Sequence, residues 1–458
     1  MNKTSKVKGA LEVLLVIGLI LVIPLFFAIK TQADPQVAQN TVTPTILPAA
    51  PPSTPAALRA TAQQPPQCTF PLAQTATTES TPEEYTFSEP QVVLTAPQGN
   101  RYNIVEWLPD NQQVLMTEEL RNVDVGNNKL IQESINLYNP ETGESKVYAI
   151  RPLTYTLPSW QSELNAVVYP VINYFDIDKK AGTYKSIRQI WVSYGNPDTA
   201  QLLADNLPQF FLALRPGGNE MIYLSDKKIS KLDKSLKKLS SIPFDPAQWD
   251  YGKGRRDNNP VSYQVSWQPG TSLIFLYSGA GGSANGGYTF VLDTNTGQIC
   301  ELVMGGWADR ARWSSDGRYL AIARSAVYVG FASSIDLVVL DSITGNLYTV
   351  GIISQEAEGK HYVSDFTWAP DNRHLLVLED IPSTYDPYRT ETIHHELYLV
   401  DFISDQSLKL FPESKSFVAN GAPWNNLAWS PNGSKLLVRC PANGVDRICF
   451  IIVQRTRQ

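Results

Sequence analysis

Apolar and polar positions alternate in short runs through most of the chain, from residue 85 to residue 458. Such alternation predicts β-strands, because successive side chains of a strand point to opposite faces of its sheet. One combination recurs: an alternating strand that often ends in Trp, a turn rich in Pro, Asp, Asn or Gly, and a second apolar strand. Its seven copies begin at Val105, Pro158, Leu212, Val265, Ala311, Phe366 and Leu427. The pattern therefore predicts seven repeated β-hairpins.

A second hairpin follows the first in several repeats. Its copies begin at Ile135, Thr289, Leu337 and, in a looser form, Leu397. Three of them contain a Thr-Gly turn, and Gly143, Gly297 and Gly345 suit the positive φ that such turns require. Residues 229–239 show some helical spacing, but they occupy the place of the third repeat's second hairpin. We therefore predict a hairpin there as well.

Two hairpins per repeat give four antiparallel strands, which is the unit of a propeller blade. Trp313 and Trp368, in successive repeats, are 55 residues apart, which fits a blade of about 40 to 50 residues with longer loops. The predicted fold class is all-β, a β-propeller of about seven four-stranded blades at residues 85–458. Six or eight blades remain alternatives, because the second and third copies are degraded.

The last repeat contains only three strands, and residues 89–97 form an apolar strand before the first repeat. We predict that this strand completes the last blade, since an unpaired edge strand invites aggregation. Cys440 and Cys449 fall on the two strands that flank one turn, so we expect a disulfide between them, with two buried free thiols as the alternative. Cys68 and Cys300 remain as a second pair by elimination.

The N-terminus carries an apolar run that is uncharged over residues 13–29 and that only Glu12 interrupts over residues 10–29. Residues 10–29 approach the roughly 20 residues that cross a bilayer, and Lys3, Lys6 and Lys8 precede them in residues 1–9. This charge pattern predicts a single-pass transmembrane signal anchor with a cytoplasmic N-terminus. A cleaved signal peptide is the alternative. Both place the rest of the chain outside the cytoplasm.

Residues 31–84 lack any periodic apolar pattern and contain 10 Pro and 11 Thr. Such a segment buries too little apolar surface to offset its ordering entropy, and Pro-rich chains behave as extended spacers. We predict a disordered stalk between the membrane and the propeller.

The repeated Trp and Pro-Asp/Asn-Gly signature resembles the TolB-like, WD-repeat-like propeller family. The matching positions are Trp313, Ser314, Asp316, Gly317, Trp368, Pro370, Asp371, Trp429, Ser430, Pro431 and Gly433. The resemblance covers residues 85–458 and implies the propeller fold, with the Trp side chains packed between blades. It departs from TolB proteins, which carry a small α/β domain where this chain has the anchor and stalk. Fold alone does not define a function.

Strand order predicts which face of the ring carries the longer and more varied loops. The first-to-second and third-to-fourth turns share one face, and the other loops share the opposite face. The second set is long and varied, with examples at 121–128, 173–186, 248–260, 279–287 and 381–395. Because function concentrates on loops held by a rigid scaffold, we predict the binding surface on this face.

Two groups of side chains on that face combine aromatic and basic residues, a composition enriched at protein hot spots. The candidate binding residues are Trp249, Tyr251, Arg255 and Arg256 in one loop and Tyr385, Tyr388, Arg389 and His394 in another. Ordinary loop composition is the alternative for both groups.

The remaining composition favours a binding module. The net charge of −6 and pI near 5.4 give no basic field for nucleic acid. His394 and His395 point to opposite faces if they lie in a strand, so we expect no metal, no other cofactor and no catalytic set. The expected function is non-catalytic binding or scaffolding of a protein partner at the cell membrane. A carbohydrate-binding or polysaccharide-lyase-like propeller of the cell envelope is the alternative.

Overall fold

The structure is a computed structural model that describes most of the chain after residue 65. The described residues are 66–73, 81–97, 100–125, 128–154, 156–178, 183–205, 212–214, 220–225, 228–233, 237–243, 264–277, 289–304, 307–328, 331–350, 362–382, 392–411, 417, 425–440 and 445–457. Within these ranges it contains β-strands and two short 3₁₀ turns, Ser162–Leu164 and Pro197–Thr199. No helix among the described residues is long and apolar enough to span a membrane. The predicted anchor at 10–29 lies outside them.

Seven antiparallel four-stranded units form the ring, and two further strands, β1 (Glu83–Phe87) and β2 (Gln91–Thr95), precede them. Blade 1 consists of β3 (Arg101–Trp107), β4 (Val114–Val125), β5 (Asn128–Tyr138) and β6 (Ser145–Pro152). Blade 2 consists of β7 (Ser159–Gln161), β8 (Ala166–Asp178), β9 (Thr183–Ser193) and β10 (Gln201–Ala204). Blade 3 consists of β11 (Leu212–Leu214), β12 (Glu220–Ser225), β13 (Lys228–Asp233) and β14 (Lys238–Pro243). Blade 4 consists of β15 (Gln264–Trp267), β16 (Leu273–Tyr277), β17 (Thr289–Asp293) and β18 (Ile299–Glu301).

The last three blades follow the same order. Blade 5 consists of β19 (Trp307–Trp313), β20 (Tyr319–Tyr328), β21 (Phe331–Asp341) and β22 (Leu347–Val350). Blade 6 consists of β23 (Tyr362–Trp368), β24 (His374–Pro382), β25 (Thr392–Asp401) and β26 (Gln406–Leu410). Blade 7 contains β27 (Leu427–Trp429), β28 (Lys435–Cys440) and β29 (Arg447–Arg457). The prediction of an all-β propeller with seven four-stranded blades is confirmed. So is the hairpin in blade 3, where β13 and β14 pair with Ile229 opposite Ile242.

The N-terminal strands close the ring by pairing with the last strand of the chain. β2 pairs with β29 from Gln91 opposite Phe450, as the sequence predicts. The sequence analysis missed β1, which pairs with the far half of β29 from Glu83 opposite Arg457. β29 is 11 residues long and β28 only 6, so without β1 half of β29 would be a bare edge.

The Trp side chains of the repeat join neighbouring blades, as the family resemblance implies. Trp313 donates its indole N–H to the backbone oxygen of Ser266 in blade 4, and Trp368 donates to that of Arg312 in blade 5. Apolar residues from adjacent blades make up the core clusters around them. The inner strands of blades 5 and 6 are therefore each fixed to the inner strand of the preceding blade.

The turn after the Trp also packs against the preceding blade. Gly317 has φ +75°, and a Cβ built there would lie 2.7 Å from the backbone oxygen of Pro269. Gly433 has φ +78°, and a Cβ there would lie 2.5 Å from Cγ of Pro370. Glycine is required at both positions because no side chain fits this conformation and this close approach.

Two disulfides stabilise the propeller. The Sγ atoms of Cys440 and Cys449 are 2.12 Å apart, so the predicted link between β28 and β29 is present. Cys68 is bonded to Cys300 on β18. This second bond attaches part of the segment that the sequence analysis assigned to the stalk.

Residues 66–73 lie along the outer rim of blades 4 and 5. The Cys68 N–H donates to the oxygen of Glu301, and the Leu72 N–H donates to the oxygen of Ser342. Phe70 packs against the turn that contains Gly345. Phe70 and Leu72 are the apolar residues that make this part of the Pro/Thr-rich segment adhere to the ring.

Candidate functional site

The two faces of the ring differ in the length of their hairpins. In blades 1, 2, 5 and 6 the two central strands are 9 to 13 residues long. In blades 3 and 4 they are 5 or 6 residues long. The long pairs extend past their flanking strands on one face, which we call the hairpin face. The opposite face carries the short turns, and we call it the short-turn face.

The hairpin face is the one that was predicted to carry the long and varied loops. Two of those predicted loops are strands instead. β4 continues to Val125 and pairs with β5 at Asn128 across a two-residue connection. β8 continues to Asp178 opposite Thr183 of β9. The sequence analysis overlooked Gly126-Asn127, a dipeptide suited to a two-residue hairpin turn. These segments are therefore paired strands.

Most of the predicted binding residues lie outside the described part of the chain. This applies to Trp249, Tyr251, Arg255, Arg256, Tyr385, Tyr388 and Arg389. His394 lies on β25, where its backbone is opposite Ile381, and its side chain is not described. Their role in binding stays a prediction.

A Ser, Asp and His meet in blade 6 near the hairpin face. Nε2 of His395 lies 2.9 Å from Oδ1 of Asp380, and Nδ1 lies 3.1 Å from the backbone oxygen of Phe417. The hydroxyl of Ser364 donates to the same Asp380 oxygen. A nucleophilic serine needs the imidazole beside its hydroxyl. Here serine and histidine share the carboxylate instead, so the arrangement holds strands together.

Buried ion pairs hold the bases of the long hairpins against their neighbours. Arg151 lies 2.9 Å from Glu133 in blade 1 and donates across to the oxygen of Pro170 in blade 2. Burial raises the pKa of Glu133 and lowers the pKa of Arg151, while each charge partly compensates the other. Arg439 and Asp446 form a similar pair in blade 7. Removing one partner of such a pair leaves an uncompensated buried charge.

Charged side chains also meet at the central channel, where the inner strands β19, β23, β27 and β3 lie side by side. The fully buried carboxylate of Asp365 accepts from Nη1 of Arg310 at 2.7 Å and lies 3.0 Å from Nη1 of Arg312. Three backbone N–H groups also donate to this carboxylate, those of Phe366, Asn426 and Leu427. Asp365 thus fixes the inner strands of blades 5, 6 and 7 to one another.

Asn425 extends this network to blade 1. Its side-chain oxygen accepts from Arg310 at 3.0 Å and from Arg312 at 2.8 Å. Its backbone N–H donates to the buried side chain of Asn103, and its amide donates to the oxygen of Val105. The channel wall from blade 5 to blade 1 is therefore one hydrogen-bonded unit.

Glu106 lies farther around the same channel. Solvent reaches its side chain, and the Trp160 backbone N–H donates to its carboxylate at 2.8 Å. Enclosure by the surrounding blades raises the pKa of Glu106 to about 7, and the bond from Trp160 offsets part of that rise. A carboxyl group that titrates near neutral pH is typical of functional sites, although structural positions also produce it.

The sequence analysis did not select these channel residues, although the repeat contains a signal for them. The residue just before the Trp of each repeat is usually polar. These residues are Glu106, Ser159, Ser266, Arg312 and Thr367, with Ala428 as the apolar exception. The polar members are exposed or half-buried, whereas Ala428 and the Trp side chains at 107, 267, 313, 368 and 429 are buried. A polar side chain therefore precedes the Trp on the inner strand of most blades.

The side chains just before the Trp residues provide guanidinium, hydroxyl and carboxyl groups. No group of three His, Cys, Asp or Glu side chains in the described residues could hold a metal ion. The expectation of no metal and no cofactor stays a prediction.

Several solved structures are similar to this chain. The chain is similar to the β-propeller domain of the trilobed protease from Pyrococcus furiosus, at 10% identity and a TM-score of 0.45, over 81% of this chain and 96% of that one. It is also similar to a functionally unknown protein from Desulfotomaculum acetoxidans, at 14% identity and a TM-score of 0.39, over 67% and 86% of the two chains. A prolyl endopeptidase matches at 12% identity and a TM-score of 0.42, over 78% of this chain and 47% of that one. No protein-family model and no curated protein sequence matches the chain.

Proposed function

We propose that this protein is a membrane-anchored propeller that binds a protein partner outside the cytoplasm through its hairpin face. The observation that carries the proposal is the asymmetry of the ring. Four blades extend their central hairpin on one face, whereas turns such as those at Gly317 and Gly433 pack tightly on the other. A rigid scaffold with projecting strands offers a large surface of fixed shape, which suits a protein partner.

The proposed anchor is residues 10–29, with residues 1–9 in the cytoplasm. The following Pro/Thr-rich segment is the proposed tether. The attachment of residues 66–73 at the rim, where Leu72 bonds to Ser342 on a short turn, supports an orientation with the hairpin face away from the membrane. The Trp and Pro-Asp/Asn-Gly signature supports placing residues 85–458 among TolB-like, WD-repeat-like propellers.

The proposed contact residues are the two groups that the sequence analysis selected: Trp249, Tyr251, Arg255, Arg256, Tyr385, Tyr388, Arg389 and His394. The first group belongs to the connection from blade 3 to blade 4, and the second follows β24 in blade 6. Aromatic and Arg side chains dominate the energetics of protein interfaces. No catalytic step is part of the proposal.

Shortening one hairpin tests the proposal. Leu120 and Gln132 are directly opposite each other in blade 1, so replacing residues 121–131 by Asn-Gly gives a two-residue turn. The full chain and this variant are used to capture proteins from the native envelope. We expect one stoichiometric partner with the native chain and a loss of about tenfold or more with the shortened hairpin.

The matched control is Glu144→Lys, a charge reversal at an exposed turn of the same blade on the short-turn face. It should retain the partner fully. Loss of the partner with Glu144→Lys, and retention with the shortened hairpin, would assign binding to the opposite face. Capture of no protein by any form would contradict the proposal.

A further inference from the structure

We propose that the outer hairpin of blade 3 binds to an anionic phospholipid surface through Lys237, Lys238 and Leu239. Lys237 lies in the turn between β13 and β14, and the other two residues begin β14. This turn belongs to the short-turn face. The inference rests on the proposed membrane anchor, but it is independent of the proposed protein partner on the hairpin face.

The charge of this hairpin is opposite to that of the whole chain. The net charge of the chain is −6, yet residues 227–238 contain six Lys and one Asp. Lys231 is buried, and its Nζ lies 3.8 Å from a carboxylate oxygen of Glu220. Lys237 and Lys238, in contrast, are exposed and form no ion pair within the described part of the chain. Exposed lysines in excess over acids attract an anionic surface.

An exposed apolar side chain follows the two lysines. Leu239 is 54% exposed, and it lies on β14, the outer edge strand of its blade. Binding to a bilayer surface gains from the burial of apolar area together with the attraction of cations to anionic headgroups. Two lysines beside one exposed leucine on an outer strand provide both contributions at the rim of the ring.

The corresponding turns of blades 1 and 2 carry negative charge. Glu141 and Glu144 are exposed in the turn before β6, and Asp198 is exposed in the turn before β10. An anionic surface repels these turns and attracts the turn of blade 3. The short-turn face is therefore expected to meet such a surface along its blade 3 edge.

The lysine hairpin lies next to the strand that holds the N-terminal segment. A Cβ built at Gly297, in the short turn of blade 4, would lie 2.4 Å from Cγ2 of Ile242 on β14. β18 begins two residues later at Ile299, and Cys68 is bonded to Cys300 on this strand. Blade 3 is thus the neighbour of the point at which the chain from the proposed anchor joins the ring.

The direction of the N-terminal segment agrees with this placement. Residues 66–68 run parallel to β18, with Gln67 opposite Glu301. Since β18 starts at the short turn, the segment enters this pairing at its short-turn end. With the proposed anchor in a bilayer, a tether that arrives on that side keeps the lysine hairpin near the membrane and raises its effective concentration there.

The test is lysine acylation of the full chain after reconstitution into vesicles. One set of vesicles contains phosphatidylcholine alone, and the other contains phosphatidylcholine and phosphatidylglycerol in equal amounts. Mass spectrometry measures the acylation rate of each lysine. We expect Lys237 and Lys238 to react at least about fivefold more slowly in the anionic vesicles. Lys146, an exposed lysine near the start of β6 in blade 1, should react at the same rate in both.

Charge reversal tests whether the lysines cause the protection. Lys238→Glu should remove the protection of Lys237, whereas the matched control Lys146→Glu should leave Lys237 and Lys238 protected. Salt at about 1 M should remove the protection in the native chain, because the screening length falls to about 3 Å. Persistence of the protection in Lys238→Glu or at this salt concentration would contradict the proposal.

Two other ligands give different results. Protection by free glycerol phosphate at the headgroup concentration would assign the hairpin to a soluble phosphate compound. Protection in the native envelope but not in anionic vesicles would assign it to an acidic macromolecule. Either result would overturn the contact with the bilayer.

Extraction with alkaline carbonate separates this contact from the anchor. Release of the chain from the vesicles would overturn the anchor and this inference with it. Retention of the chain, with equal acylation of Lys237 and Lys238 in both kinds of vesicle, would overturn the lysine contact alone. The proposed protein partner is tested separately by the capture experiment.

Discussion

Trp107 donates its indole N–H to the backbone oxygen of Ala428 at a distance of 3.0 Å, across a sequence separation of 321 residues. This bond joins the inner strand of the first blade to that of the last. Equivalent bonds from Trp313 and Trp368 join blades that follow each other in the chain. Ring closure therefore uses the same kind of contact that joins blade 5 to blade 4 and blade 6 to blade 5.

Replacing Trp107 by Phe should weaken closure. The Ala428 oxygen would lose its donor, and a buried group left without its partner costs about 1 to 3 kcal/mol. Trp267→Phe is the matched control, because that indole bonds to Thr271 in its own blade. Hydrogen–deuterium exchange should speed up in β3 and β27 of the Trp107 variant only. Unchanged exchange in these two strands would show that the bond does not contribute to closure.

The outer N-terminal strand β1 should be essential for a stable last blade. Tyr85 packs edge-on against Trp429 at 5.3 Å between ring centres, and Glu83 pairs with Arg455 on β29. A chain that begins at residue 88 keeps β2 but exposes the second half of β29, from Val453 to Arg457. It should aggregate and melt several degrees lower than a chain that begins at residue 61. Light scattering and thermal melting measure both effects.

Truncation at residue 88 also removes the disulfide from Cys68 to Cys300, so a control is needed. The double variant Cys68→Ser and Cys300→Ser in the chain that begins at residue 61 keeps β1 and lacks only that bond. It should remain monomeric. Aggregation of this variant to the same extent would assign the effect to the disulfide instead of β1.

Substitution of two turn glycines distinguishes the cost of backbone strain from the cost of a close contact between blades. Gly270 has φ +72° and open space around its Cβ position, whereas Gly317 has φ +75° and the Pro269 oxygen 2.7 Å away. Alanine at position 270 should cost about 1 kcal/mol through φ alone. Alanine at position 317 should cost about 2 to 3 kcal/mol, because the turn must also move away from blade 4. Urea unfolding measures both, and equal costs would contradict the close contact.

The Glu106 carboxyl group should make stability depend on pH. Its pKa is raised to about 7 from an ordinary value of 4.5, so the folded state binds a proton more tightly than the unfolded state. Ionised Glu106 therefore does not destabilise the fold below pH 4.5, and its destabilisation grows as the pH rises to about 7. Solvent that reaches the side chain reduces the magnitude of this destabilisation.

Glu106→Gln removes this effect. The variant and the native chain should melt at the same temperature near pH 4.5, and the variant should melt higher at pH 8. The control is Glu144→Gln, an exposed carboxyl in the same blade, which should follow the native chain at both values. A melting difference for Glu106→Gln that is the same at both pH values would contradict the assigned pKa.

The blades could be predicted from the sequence because each depends on local pairing. Trp313 with Gly317, and Gly345 in the next turn, mark hairpins whose strands are close in the chain. β1 was missed because its alternation, from Glu83 to Phe87, is embedded in a Pro/Thr-rich segment. Its pairing depends on the length of β29, which no local pattern reveals.

The channel network was missed for a different reason. Arg310 and Asp365 are 55 residues apart, and Arg312 and Asn425 are 113 residues apart. They meet only because the inner strands of three blades converge on one axis. The polar position before most of the Trp residues is visible in the sequence, but the pairing of the charges depends on the complete ring.

Site-specific photo-crosslinking tests the central claim, that the hairpin face binds a protein partner. A photoreactive amino acid is placed in the native cell at Asp124 on β4 and Thr183 on β9, and at Glu144 and Asn295 on exposed short turns. We predict that both hairpin positions form an adduct with the same envelope protein and that the two short-turn positions form none. Adducts at the short-turn positions alone, or at no position, would contradict the account.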